Sequence, residues 1–270
     1  MLVRSPAVAG NTGAGWDVRA LVLDAGTAAA NATVLDELER GSTSVLVDRA
    51  AIGIGSAADL AAVLDGVFLE MAPVALVPGP DAATAAGWLV ELWEQLGTPV
   101  ADRSGALGVD PIGVAARHGG DPDLSTLAPA VASVADAPGV HAITVDATVW
   151  ADSGASEAWE LACSLATGVA YLRALEDDGV SIDDALGALT FTYSADADQF
   201  RTVARFRAAR RLWDRVAGSC GSDVRAQHQT AVTSDAMLAR RDPWVNLLRG
   251  AVAAFSAGIE IGRASCRERV

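Results

Sequence analysis

Short β-rich runs alternate along this chain with longer stretches of helical period, and no other feature constrains the fold as much. The runs cover residues 43–47, 74–77, 106–109, 141–149, 189–193 and 224–232. Strands separated by helices line up in parallel rather than as hairpins. Between them, Ser56 and Asp59 form a capping-box pattern ahead of Leu60, Val63, Leu64, Val67 and Phe68 on one helical face. Trp88, Leu89, Leu92, Trp93 and Leu96 make the next stripe, and Asp121-Pro122 reads as an N-cap before Leu124, Leu127, Val131 and Val134. A helix over about 155–175 turns Leu161, Leu165, Val169 and Leu172 inward, and Ser181 and Asp184 start a short one. Val203, Phe206, Ala209, Leu212 and Trp213 form a buried stripe opposite a solvated face of Arg201, Arg205, Arg211 and Asp214. Asp242-Pro243 opens a last helix burying Trp244, Leu247, Leu248, Ala251, Val252 and Phe255.

That makes about six βα units, whereas a barrel of this kind closes with eight. The expected architecture is therefore α/β, an incomplete TIM-like (βα)8 barrel over residues 41–258, with two open sheet edges and the instability they bring. Residues 1–40 read as an N-terminal lead-in. Residues 259–270 are arginine-dense, show no strand alternation and read as an atypical tail outside the fold.

The charge balance narrows the function. The chain has 20 basic residues against 34 acidic ones, a formal net charge of -14, which disfavours a nucleic-acid partner. Every basic residue is an arginine, so there is no lysine amine for Schiff-base chemistry. Cys163, Cys220 and Cys266 stand far apart, suggesting neither a disulfide framework nor a zinc site. Residues 1–20 hold no continuous apolar segment, and no later run is long enough to span a bilayer. A cytoplasmic location is expected.

Few residues invite chemistry on their own. Gly53-Ile54-Gly55 lacks the remainder of a dinucleotide or Walker motif and reads as a strand-to-helix turn. His118, His141 and His228 are too scattered for a metal pair, so no metal is expected. His228 is the best acid–base candidate, in phase with Thr230 and Val232 on a strand, although packing or a backbone hydrogen bond explains such a histidine more simply. Asp152 and Ser153 follow a strand end, where barrel enzymes place functional groups, but they also suit a helix cap.

Four segments together resemble the barrel of the methylmalonyl-CoA mutase family: Gly108-Val109-Asp110-Pro111-Ile112-Gly113; the helix from Ser153 to Arg173; Phe206 to Trp213; and Asp242 to Arg249. The resemblance covers about residues 40–258. It implies a TIM-like barrel with coenzyme A threaded along its axis, in a family where adenosylcobalamin, bound by a separate flavodoxin-like domain, supplies a radical that interconverts methylmalonyl-CoA and succinyl-CoA. That domain's DxHxxG loop and the family's tyrosine-bearing stretch before the first strand have no counterpart in this sequence. Catalytic members carry a histidine twelve residues before the Asp-Pro pair and a glutamine three residues before the Gly-Ala pair. Thr230 and Ala151 occupy those places here. The resemblance thus implies a small, non-catalytic subunit, truncated, with adenosylcobalamin held by a large catalytic subunit, its heterodimer partner. It leaves open whether a coenzyme A thioester binds. A two-residue shift would put His228 in the histidine's place and make the chain a fragment of a catalytic acyl-CoA mutase. A truncated product without a stable function is the third reading.

Overall fold

The computed structural model describes residues 17–261 and 263–266. In chain order its elements are β1 (Asp17–Val22), α1 (Thr27–Glu39), β2 (Ser44–Val47), α2 (Arg49–Ile52), α3 (Ala57–Val63), β3 (Val74–Leu76), α4 (Ala82–Gln95), β4 (Ser104–Val109), α5 (Pro111–His118), α6 (Leu127–Ala132), β5 (Gly139–Asp146), α7 (Thr148–Asp152), α8 (Glu157–Asp177), α9 (Ile182–Ala188), β6 (Leu189–Ala195), α10 (Gln199–Ser219), β7 (His228–Thr233), α11 (Trp244–Ile261) and β8 (Arg263–Cys266). It is an α/β fold in which parallel strands, paired in chain order, curl into a barrel-like sheet flanked by helices.

The count of six units is corrected at both ends. β1 lies inside the segment read as a lead-in and pairs with β2 from Arg19↔Ser44 to Val22↔Val47. It escapes an apolar-run search because Asp17 and Arg19 alternate with its hydrophobic residues. At the other end α11 runs through residues 259–261, and the backbone of β8 pairs with both β7 and β1. Among the described residues the strands close into a ring through the backbone of β8. A four-residue strand is held by backbone hydrogen bonds to its neighbours, which the arginine content of a segment does not reveal.

The outward faces of the strands supply the core. Val45, Val47, Val74, Leu107, Ile143, Val145, Phe191 and Tyr193 pack under the helices against Trp93 and Trp213, the latter edge-on to Phe191 at 4.6 Å. A small second cluster, Leu46, Ala75 and Ala106 with Leu21 and Val77, lies inside the sheet's curl.

Several helix assignments shift. Asp123, not Asp121, caps the turn at Leu124, and its carboxylate accepts from the Ser125 N–H. The expected strand over 141–149 ends at Asp146, after which α7 begins. Strand six begins at His228 rather than at 224. α11 buries Ala253, Ser256 and Ala257 while Trp244 and Leu248 are 66% and 69% exposed, the reverse of the expected stripe. Small residues bring this helix close to α10 and β7, and its large ones turn outward.

Arg205 departs most from expectation. It is 5% exposed and reaches under α8, where Nη1 meets the Glu160 carboxylate at 2.8 Å and Nη2 donates to the Ser194 carbonyl. Glu160, 1% exposed, also accepts from the Ser194 N–H and hydroxyl. Burial pushes its carboxyl up while Arg205 pulls it down. Removing one partner leaves the other charge buried alone. Arg205→Met should therefore cost about 3–5 kcal/mol in urea unfolding, whereas adding Glu160→Leu should recover most of that loss. Equal stability of the single and double variants would show that the pair is not coupled.

Candidate functional site

In barrels of this kind chemistry sits at the C-terminal ends of the strands. There, Asp110 ends the β4 crossing and caps α5, accepting from the Gly113 N–H at 3.0 Å. Its second oxygen accepts from the Asp146 N–H at 3.0 Å, and the Tyr171 hydroxyl of α8 donates to the first. Asp146, at the end of β5, holds the Arg117 guanidinium of α5 at 3.1 Å and accepts from the Thr148 hydroxyl at 2.6 Å. The mouth over β4 and β5 is thus a connected polar network.

Beneath it runs the lumen. Thr144, Thr190, Thr192 and Thr230 line one wall, and Leu46, Ala75, Val77 and Ala106 line the other. Strand register puts Asp146 beside Thr192 and Thr192 beside Thr230, so these three form one layer across β5, β6 and β7. The cavity among them is about 30 Å³. Such a space takes a water or two.

The sequence candidates scatter over this frame. Thr230 is buried in the lumen wall, and Ala151 sits on α7 above β5, partly buried. His228 is the first residue of β7, at the N-terminal end of the barrel, with its ring 4.4 Å from that of His141. His141 Nδ1 contacts the Gly187 carbonyl at 3.1 Å, and His118 ends α5, exposed. Asp152 and Ser153 close α7 instead of opening α8, whose N-cap is Ser156. Gly53 ends α2 and Gly55 leads into α3, so the segment is a turn between two short helices rather than the expected strand-to-helix turn. No group of three or more metal-ligating side chains occurs among the described residues.

Sequence reading missed Arg117, Asp146, Thr148 and the role of Tyr171. The one signal available was Asp110-Pro111, a cap-and-proline pattern that the structure bears out with Asp110 as N-cap and Pro111 as the first residue of α5.

Burial raises the Asp110 carboxyl to about 7, with the Asp146 carboxylate adding to the rise and the Tyr171 hydroxyl and backbone N–H groups opposing it. The folded state thus holds this proton more tightly than the unfolded chain does. Its contribution to stability is full below about pH 4 and is lost as pH rises toward 7. Asp110→Asn should remove that slope, although it leaves an N–H without an acceptor at a cost of about 1–3 kcal/mol. Unfolding of both proteins at pH 5 and pH 8 checks this: the wild type should lose on the order of a few kcal/mol more than the variant between the two. Parallel losses would refute the assignment.

Residues 44–262 match the methylmalonyl-CoA mutase family profile. The chain belongs to the methylmalonyl-CoA mutase family. It is 47% identical over 263 residues to the methylmalonyl-CoA mutase small subunit of Streptomyces virginiae, covering 95% of this chain and 42% of that protein. To the small subunit of Propionibacterium freudenreichii subsp. shermanii it is 41% identical over 249 residues, 90% of this chain and 39% of the relative. A protein named methylmalonyl-CoA mutase from Cereibacter sphaeroides is 27% identical over 224 residues, 79% of this chain and 31% of the relative. The chain therefore spans about two fifths of the length of the small subunits it matches. The fold and these likenesses agree with the four sequence segments, all of which lie within the described residues.

Proposed function

We propose that this chain is the barrel of a small subunit of adenosylcobalamin-dependent methylmalonyl-CoA mutase, supporting a catalytic large subunit in a heterodimer without turning over substrate itself. The observation that carries the reading is the lumen wall. Where catalytic members resembling this chain have an imidazole, Thr230 offers a hydroxyl, and the glutamine's place holds the methyl of Ala151. A hydroxyl with no base beside it cannot take over proton transfer from an imidazole. His228 as a general acid is disfavoured because it stands at the opposite end of β7 from the mouth.

Two of the three imidazoles, His141 and His228, lie at the N-terminal ends of their strands, and the third, His118, is exposed at the end of α5 beside Arg117. Adenosylcobalamin belongs, on this reading, to the large subunit. The thioester is assigned there too, beside the cofactor that would act on it. What this chain's residues do is hold a barrel mouth rigid through Asp110, Tyr171, Asp146 and Arg117. No helix of the described residues is long and apolar enough to cross a membrane, which fits the cytosolic location proposed with this role.

The test is copurification. The full-length protein carrying this barrel, expressed with a tagged large subunit, should elute with it in equal amounts. Elution as separate species at micromolar concentration would reject the partner-subunit reading.

A further inference from the structure

The C-terminal halves of α8 and α10 leave a groove between them on the outside of the barrel, with a volume of about 520 Å³. Its floor is apolar. Leu165 and Val169 come from α8 at a spacing of four, and Leu212 and Val216 come from α10 at the same spacing. Leu212, expected in the core, is 39% exposed here. Two parallel ridges at i, i+4 spacing form the surface into which a third helix packs.

The edges of the groove carry charge of the less abundant sign. Arg173 stands on one side and Arg215 on the other, with Glu176 the one carboxylate in the lining. Neither arginine forms an ion pair among the described residues, although Arg201, Arg205, Arg207 and Arg210 on α10 all do. In a chain with 34 acidic residues to 20 arginines, two guanidinia left over beside an apolar channel call for carboxylates from elsewhere.

We propose that this groove receives an amphipathic helix of the large subunit, its apolar ridge seated on Leu165, Val169, Leu212 and Val216 and its flanking carboxylates meeting Arg173 and Arg215. The assignment rests on the partner-subunit reading and names the surface through which it works. A small acyl ligand would use the apolar floor, but it would need only one of the two guanidinia, which flank the groove on opposite helices.

The experiment uses the full-length protein and the large subunit, with pairing measured by titration at low and high salt. Three surface changes are compared with the wild type: Leu212→Glu, the double change Arg173→Glu with Arg215→Glu, and a control charge reversal at Arg40, the C-cap of α1. Circular dichroism confirms that each remains folded. Leu212→Glu and the double change should each weaken pairing at least tenfold, the double change should flatten its salt dependence, and the control should leave it unaltered. Alkylation of the exposed Cys220, in the same groove, should slow when the large subunit is bound. If the wild type pairs and the groove variants pair equally well, the groove assignment is wrong and the partner-subunit reading stands. Slower alkylation caused by a fatty-acyl probe but not by the large subunit would also overturn it, in favour of a lipid site. If even the wild type does not pair, both fall together.

Discussion

Gly105→Ala should abolish cooperative folding of the barrel. Gly105 lies on β4 with φ +139, and a Cβ built there would come 1.7 Å from the Val74 carbonyl oxygen of β3. Backbone on backbone leaves no flexible side chain to move aside. The conflict would have to be relieved by separating β3 from β4, which breaks the ladder in mid-sheet and disturbs the packing of Leu107 beneath it. The expected cost is more than about 5 kcal/mol, beyond the usual range for a single substitution and comparable with the net stability of a whole domain, about 5–15 kcal/mol. Gly108, with φ +74 and a Cβ position 2.4 Å from the Leu76 carbonyl oxygen, repeats the constraint one turn of the bulge later. The contrast is Gly179→Ala, where φ is also positive but the space is open. That change should cost about 1 kcal/mol. Urea unfolding followed by circular dichroism distinguishes the two, and a Gly105→Ala melt near that of the wild type would show that β3 and β4 are not packed as described.

The second large effect is catalytic. Given adenosylcobalamin and methylmalonyl-CoA, this barrel should form no succinyl-CoA. Loss of one preorganised polar group at a reacting carbonyl costs roughly 10²–10³ in rate, and on the proposed reading Thr230 and Ala151 stand in place of two such groups. The layer containing Thr230 offers Thr192 and Asp146, and the latter is already engaged by Arg117 and Thr148. Asp110 holds a proton up to about pH 7, but its oxygens face Gly113, Tyr171 and Asp146 rather than the lumen. His228 is at the far end of its strand.

Much of the fold was legible because runs such as Ser44–Val47, Val74–Leu76 and residues 142–145 are nearly continuous in apolar and β-branched residues, the pattern of strands covered on both faces. β1 was not, because its inward positions are Asp17 and Arg19, a polar pair hydrogen-bonded to Ser44 within the barrel. β8 was not, because backbone pairing across a closed ring leaves no periodicity in four residues. The outward turn of Trp244 and Leu248 on α11 was misread for a related reason: residue size suggested core, whereas close helix packing selected Ala253 and Ala257. At the site, Thr230 was reachable by counting from Asp242. The network of Arg117, Asp146 and Thr148 was not, since it joins side chains 29 and 31 residues apart across separate βα loops.

On the proposed reading this barrel supports a catalytic partner and has no turnover of its own. The most direct measurement is the isomerisation of methylmalonyl-CoA, with adenosylcobalamin supplied, by the full-length protein alone, by the large subunit alone and by the two together. Succinyl-CoA should form only where the large subunit is present, at a higher rate or with longer-lived activity when this protein accompanies it. Succinyl-CoA formed by this protein alone, and lost on Thr230→Val, would show that the barrel is itself catalytic.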